Sequence, residues 1–206
     1  MTLTLKDIED AAARICSATI NTRFEKSRTL SALADTELYL KFENLQFTAS
    51  FKDRGALNKL LILQQQGEIK GVIAMSAGNH AKAVAYHAQR LGVPATIVMP
   101  INTPNVKVEE TKNFGARVIL NGDTLDEAAS HARQIAEEEN LIFVHPYNDL
   151  DIMAGQGTVA LEMLEVEVEL HSRAYWRRRL SSRSCDGGEG YQSKDKNHRR
   201  RSRGLP

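Results

Sequence analysis

Between residues 71 and 146 short apolar runs alternate with longer stretches of helical period. "GVIAMS", "ATIVMP", "ARVILNG" and "LIFVHP" are rich in aliphatic residues and poor in charge, the pattern of strands buried on both faces. Between them, "GNHAKAVAYHAQRLG" reads as a helix closed by Gly92 with Pro94 beyond it, and "TLDEAASHARQIAEEEN" as another. Thr103-Pro104 supplies an N-cap and a proline at the first helical position for a helix running to about Phe114. Upstream, "MTLTLKDIEDAAARI" predicts an amphipathic helix, "ELYLKFE" (37–43) a strand and "FKDRGALNKLLILQQQ" (51–66) an amphipathic helix. Downstream, "GQGTVALEML" opens a further helix. This alternation predicts an α/β fold, with right-handed βαβ units and a parallel sheet flanked by helices on both faces. Chemistry then belongs at the carboxyl ends of the strands, where helices begin.

The alternation stops after Glu165. Residues 166–206 show no sustained apolar period, and they hold 11 Lys+Arg against 5 Asp+Glu, or +6. Residues 1–165 hold 16 against 21, or −5, so the chain's net charge of +1 conceals two unlike halves. The tail is too polar to offset its ordering entropy and is expected to be disordered and solvated. It lacks the spacing of any nucleic-acid module, so nucleic acid is not the expected partner. No apolar run reaches the roughly 20 residues of a membrane-spanning helix, and the acidic amphipathic N-terminus is unlike a signal peptide. Cys16 and Cys185 form neither a metal spacing nor a disulfide framework, so a reducing cytoplasm is the expected location.

Two stretches carry candidate chemistry. In "FTASFKDRGA" (47–56), Lys52 falls in the first turn of a helix, where the macrodipole disfavours a cation. Partial desolvation behind Phe51, beside positive dipoles and Arg54, would depress its pKa and leave an amine able to form Schiff bases and take protons. In "SAGNHA" (76–81), Ser76, Ala77 and Gly78 are small enough for a ligand to approach the backbone. The free N–H groups there favour an anion, and Asn79 adds a neutral amide. His80 and His87 read as structural residues. His145 ends the last clear strand, in the right position for a site but with no evident partner.

"ENLQFTASFKDRGA" and "SAGNHAKAVAYHAQRLG" together resemble the signatures of the serine/threonine dehydratases, fold-type II enzymes that depend on pyridoxal phosphate. "PATIVMP", the run from Thr103 to Gly115 and "HPYNDLDIMAGQGTVALEML" follow in the family's order, so the resemblance covers about residues 5–165 and is most similar to threonine dehydratase. It implies a small domain at about 50–145 inserted in an incomplete large domain within residues 1–165, with 166–206 a basic non-homologous tail. It further implies that Lys52 carries the cofactor covalently, with Phe51 packed beside it and Asn79 near its 3-hydroxyl. Ser76, Ala77, Gly78, Asn79 and His80 would receive the substrate carboxylate. The implied reaction converts L-threonine to 2-oxobutanoate and ammonia, and L-serine to pyruvate, in a homo-oligomer without a metal.

The sequence departs from the family in three places. The usual Gln and Gly after the "SAGNHA" alanine are Lys82 and Ala83. The glycine-rich loop that cradles the cofactor phosphate is not visible, since Gly187-Gly188 follow no strand, and neither is the residue at the pyridine nitrogen. The change of composition at Glu165 is what a shifted reading frame produces, and weak or absent activity is expected of the polypeptide as written. Serine racemase shares these motifs and is the alternative enzyme. A catalytically inactive fragment that presents a basic binding tail is the alternative of another class.

Overall fold

The computed structural model describes residues 2–171, and of residues 166–171 the backbone alone. Helix α1 (Leu5–Ile15) opens on a capping box: Thr4 Oγ1 accepts the Asp7 backbone N–H, and the Asp7 carboxylate accepts the Thr4 N–H at 2.8 Å. Strands β1 (Phe24–Lys26) and β2 (Tyr39–Lys41) then pair antiparallel across helix α2 (Arg28–Ala34). β2 is the middle of the strand expected at 37–43, but it lies outside the parallel sheet. Its partner β1 has two charges in three residues, so no apolar run marks the pair. Helix α2 has no buried residue and rests on local caps: the Ser27 hydroxyl accepts the Leu30 N–H, and Asp35 closes the helix in the left-handed region.

From α3 (Lys52–Gln66) onward the predicted alternation holds. β3 (Val72–Met75), α4 (Asn79–Leu91), β4 (Ala95–Met99), α5 (Asn105–Asn113), β5 (Arg117–Leu120), α6 (Leu125–Glu139) and β6 (Ile142–Phe143) follow in turn. The four strands form one parallel sheet in the order β5-β4-β3-β6, with Ile73 opposite both Thr96 and Phe143. Both faces are covered. Leu60 of α3 and Val84 and Ala88 of α4 join Val72, Ala74 and Ile97 in one buried cluster, while Ala128, Ala132 and Ile135 of α6 close over Ile73 and Val98. Burial on two sides is why the central strands β3 and β4 read as continuous apolar runs, whereas β5 at the sheet edge is exposed at Arg117 and Leu120.

Helix boundaries differ from expectation at two points. α5 begins after Pro104, which occupies the cap with φ −55 and ψ 135, and the Thr103 hydroxyl has no hydrogen-bond partner. α7 (Leu150–His171) begins five residues before Gly155 because Asp149 caps it, its Oδ1 accepting the N–H groups of Asp151 and Ile152 at 2.9 and 3.2 Å. The glycines of α7 mark close approach instead of a helix start. A Cβ on Gly155 would lie 2.6 Å from Gly55 Cα, and one on Gly157 2.9 Å from Ile8 Cδ1. α7 therefore lies directly on the backbone of α3 and against α1. α7 also runs past Glu165, where the apolar pattern ends; the tail expected to be disordered otherwise lies outside the described residues. Among the described residues no helix is long and apolar enough to cross a membrane.

Candidate active site

The close packing of α7 on α3 buries Asp53, Arg54 and Asn58 with the apolar Ala56, Leu57 and Leu60, a wider buried face than an amphipathic reading implies. Buried charges need partners, and Arg54 has them. Its Nε and Nη2 donate to Glu43 at 2.8 and 2.9 Å, and its Nη1 and Nη2 to Glu162 at 2.6 and 2.8 Å. These carboxylates outweigh burial and hold the guanidinium above its ordinary pKa.

Lys52, two residues earlier, is the first residue of α3 and points elsewhere. It is half-buried, and among the described residues it has no carboxylate partner. Its Nζ donates to the Pro146 carbonyl at 2.8 Å and stands 5.4 Å from the centre of the Phe51 ring, which is 44% exposed. Burial alone pushes the amine below the usual lysine range. The depressed pKa and its cause in desolvation agree with expectation, but the expected contribution of Arg54 is absent, since Glu43 and Glu162 neutralise it.

At the end of β3 the chain turns sharply. The Ser76 N–H donates to Val98 O at 3.2 Å, and the Ser76 hydroxyl accepts the Gly78 N–H at 3.2 Å. α4 then starts at Asn79 with no side-chain cap, so its first N–H groups are open. Ser76, Ala77 and Gly78 are partly exposed and Asn79 is exposed, and a Cβ added at Gly78 would meet nothing within 4 Å. The Ser76 and Gly78 N–H groups are thus taken within the turn, and the donors left open are those of Ala77 and of Asn79 and His80 at the start of α4. The His80 side chain does not join them. It is buried, with Nε2 3.1 Å from the Val144 carbonyl, and desolvation, helped by the charges of Lys52 and His145, pushes its pKa down to about 4. A neutral ring carrying its proton on Nε2 ties α4 to β6, as the structural reading of His80 expected.

The segment after β6 unites the two motifs: His80 reaches it at Val144 and Lys52 at Pro146. His145, placed at a site by its position, proves to be a turn residue. Its Nδ1 accepts the N–H groups of Tyr147 and Asn148 at 3.2 and 2.8 Å. The Pro146 carbonyl is the functional group that sequence reasoning missed, and a backbone oxygen leaves no side-chain signal. Beside the loop, a cleft of about 100 Å³ between α4 and α5 is lined by Ala77, Gly78, Asn79, Lys82, Lys107 and Glu110 among others. In its wall Lys82 pairs with Glu110 at 3.5 Å. A half-buried amine and a helix start with free N–H groups, both tied to the segment after β6, can hold an aldehyde, bind a carboxylate and move a proton.

Known proteins share this framework. Residues 15–173 match the family described as pyridoxal-phosphate dependent enzyme. The L-threonine ammonia-lyase of Thermotoga maritima is 48% identical over 163 residues, which are 79% of this chain and 41% of that protein. The crystal structure of a T.th. threonine deaminase is 42% identical with a TM-score of 0.75, covering 82% of this chain and 53% of the other. The serine racemase of Dictyostelium discoideum is 38% identical with a TM-score of 0.74, covering 81% and 54%. This chain thus spans about two-fifths to half the length of these relatives. The match over most of the chain, with Lys52 at the start of α3 and the "SAGNHA" loop at the end of β3 in the parallel sheet, establishes that the chain belongs to the pyridoxal-phosphate dependent enzyme family.

Proposed function

We propose that this chain carries the amine and substrate-carboxylate half of a threonine (serine) ammonia-lyase site, converting L-threonine to 2-oxobutanoate and ammonia. The observation that supports it most is Lys52, half-buried without a carboxylate partner among the described residues and depressed in pKa by burial, bonded to the segment after β6 that also receives α4 through His80. The residues present fit the aldehyde end of pyridoxal phosphate: Lys52 would hold it, Phe51 would pack beside it and Asn79 would face its ring oxygen. A strand followed by a glycine-rich phosphate cradle is not among the described residues. The cofactor, when bound, supplies the electron sink that makes the α-proton of an amino acid removable.

The chain's own residues do the rest. The N–H groups of Ala77, Asn79 and His80, which the turn does not use, hold the substrate carboxylate beside Ser76 and Gly78, and the small side chains of Ala77 and Gly78 let it come close. Lys52, its pKa lowered by burial, takes the α-proton. Loss of the β-hydroxyl with later hydrolysis returns 2-oxobutanoate and ammonia from threonine. His80 stays neutral and positions α4 on β6. The same reading includes a homo-oligomeric cytoplasmic enzyme with its small domain at about 50–145.

The test is to incubate the protein with pyridoxal phosphate, reduce with borohydride and map the modified peptide, then assay L-threonine and L-serine. A label on Lys52 that is lost in Lys52→Ala is the expected result, with 2-oxobutanoate production by the polypeptide as written weak or absent. Absence of label on Lys52 overturns the reading. D-serine formed from L-serine in place of 2-oxobutanoate from threonine replaces it with a racemase.

A further inference from the structure

The turn leading into Lys52 is held in a conformation its own residues disfavour. Ala49 has φ 58, the left-handed region that a Cβ penalises and glycine tolerates. Such a residue persists only where its surroundings over-determine it. Here the fixing group is Asp53, which is wholly buried. Its Oδ2 accepts the Thr48 N–H at 2.9 Å, and its Oδ1 accepts the Thr48 hydroxyl. His87 Nε2 lies 3.6 Å from Oδ1, too far for a hydrogen bond. Both of the carboxylate's hydrogen bonds therefore go to one residue, five positions back, across the segment that contains Ala49 and Lys52.

Inside that span the backbone is equally tied. The Ala49 N–H donates to Gln46 O at 2.9 Å, the Asp53 N–H to Ser50 O at 3.2 Å, and the Lys52 N–H to Ser50 Oγ at 3.2 Å. The Lys52 amine, by contrast, meets one fixed acceptor, the Pro146 carbonyl. Its direction is thus set from behind, by the turn. We infer that Asp53 is a positioning residue for Lys52: by gripping both donors of Thr48 it holds Ala49 left-handed and so aims the first turn of α3, and the lysine on it, at the strand-end site. This rests on the reading of Lys52 as the cofactor-holding amine. If the grip is released, Ala49 relaxes to an ordinary conformation and the lysine swings away. A glycine at 49 has no such reason to relax, so Ala49→Gly should specifically repair the loss of Asp53.

The experiment uses the full chain with pyridoxal phosphate, borohydride reduction and peptide mass spectrometry. It reads the label on Lys52 relative to that on the surface lysines Lys6 and Lys112 of the same sample. The wild-type protein labels Lys52 in preference. Asp53→Asn lowers the ratio by on the order of tenfold, as misplacement of a reacting group does, and adding Ala49→Gly restores most of it. Thr48→Val, which removes one of the two hydrogen bonds, lowers it by roughly fivefold. A wild-type protein with no preference for Lys52 overturns the underlying reading of that lysine. Preference in the wild type with an unchanged ratio in Asp53→Asn overturns the positioning role alone, as does a loss that Ala49→Gly fails to repair in a folded protein. If circular dichroism shows Asp53→Asn unfolded, Thr48→Val with and without Ala49→Gly decides by the same ratio. Unfolding of both single variants overturns the inference, because the clamp then serves the fold and not the lysine.

Discussion

Lys52 and Arg54 stand two residues apart on one helix and live by opposite rules. Arg54 is buried, forked by Glu43 and Glu162, and held above its ordinary pKa. Lys52 is half-buried, meets a backbone carbonyl instead of a carboxylate, and is held below its own. The surroundings follow suit. Beside Arg54, burial opposes ionisation of Glu43, yet hydrogen bonds from Arg54 and Thr22 keep its pKa below the usual range. Around Lys52 the neighbouring His80 is kept neutral. Arg54 is given counter-charges, as a cation that holds the fold needs, whereas Lys52 is denied them, as the chemistry proposed for it requires.

The contrast is tested most severely at Arg54. Arg54→Met keeps much of the packing volume but leaves two inward-facing carboxylates. Lys41 still meets Glu162, at 2.5 Å, so the deficit falls mainly on Glu43. Removing one partner of a buried ion pair costs about 3–5 kcal/mol, and chemical denaturation should show a loss of that size. A loss below about 1 kcal/mol, the worth of an exposed pair, would break the comparison by making Arg54 as dispensable as a surface charge.

The next test is the acid limb. His80 has a folded pKa of about 4 against 6.5 ordinarily, so between those values the unfolded chain binds more protons than the folded one. Stability therefore falls as pH drops from 6.5, and the penalty is complete below about 4, where it reaches about 3 kcal/mol. His80→Gln can still donate to Val144 but does not titrate, so its stability should be flatter between pH 7 and 4. Parallel slopes for the two proteins would show that His80 is not held neutral.

Close approach of helices supports the Arg54 region in a way no charge does. Gly155→Ala would place a Cβ 2.7 Å from Arg54 O as well as against Gly55. Neither contact is a side chain that can swing aside, so α7 must shift, and overpacking of this kind costs about 1–3 kcal/mol. A fall in thermal midpoint is expected, together with weakened contact between Arg54 and Glu162. An unchanged midpoint would mean that α3 and α7 are not locked where the structure places them.

These regions also differ in how legible they were. The parallel sheet was readable because strands covered on both faces are continuous apolar runs bounded by helix signals. Lys52 was readable because it violates a local rule, a cation in a first turn, and because the residues around it resemble a known signature. Arg54 was misread as a neighbour of Lys52. Residues i and i+2 of a helix point to different sides, and its true partners lie 11 and 108 positions away. Gly155 and Gly157 were misread as a helix opening, since a sequence does not show which helix will lie against them. β1 and α2 went unseen because they are short, polar and held by caps and an antiparallel partner, with no periodic burial to report them. The Pro146 carbonyl had no residue type to betray it.

The smallest effect has the sharpest sign. Lys52→Met removes an amine that folding partly dehydrates. Because the folded pKa lies below the unfolded value of about 10.4, the cost of keeping Lys52 charged is fully present below the folded pKa. It disappears as pH rises through the unfolded one, where both states are neutral. The variant should therefore be more stable than the wild type at pH 7, with a gap that narrows toward pH 10 and above. Loss of the hydrogen bond to Pro146 works against this gain, but the site is half-open and water can satisfy that carbonyl. Arg54→Met shows the reverse sign at every pH where Glu43 and Glu162 are ionised. Denaturation curves of both variants at pH 7 and pH 10 decide the matter. Should Lys52→Met prove destabilising at pH 7, Lys52 would belong with Arg54 among the cations that hold the fold together.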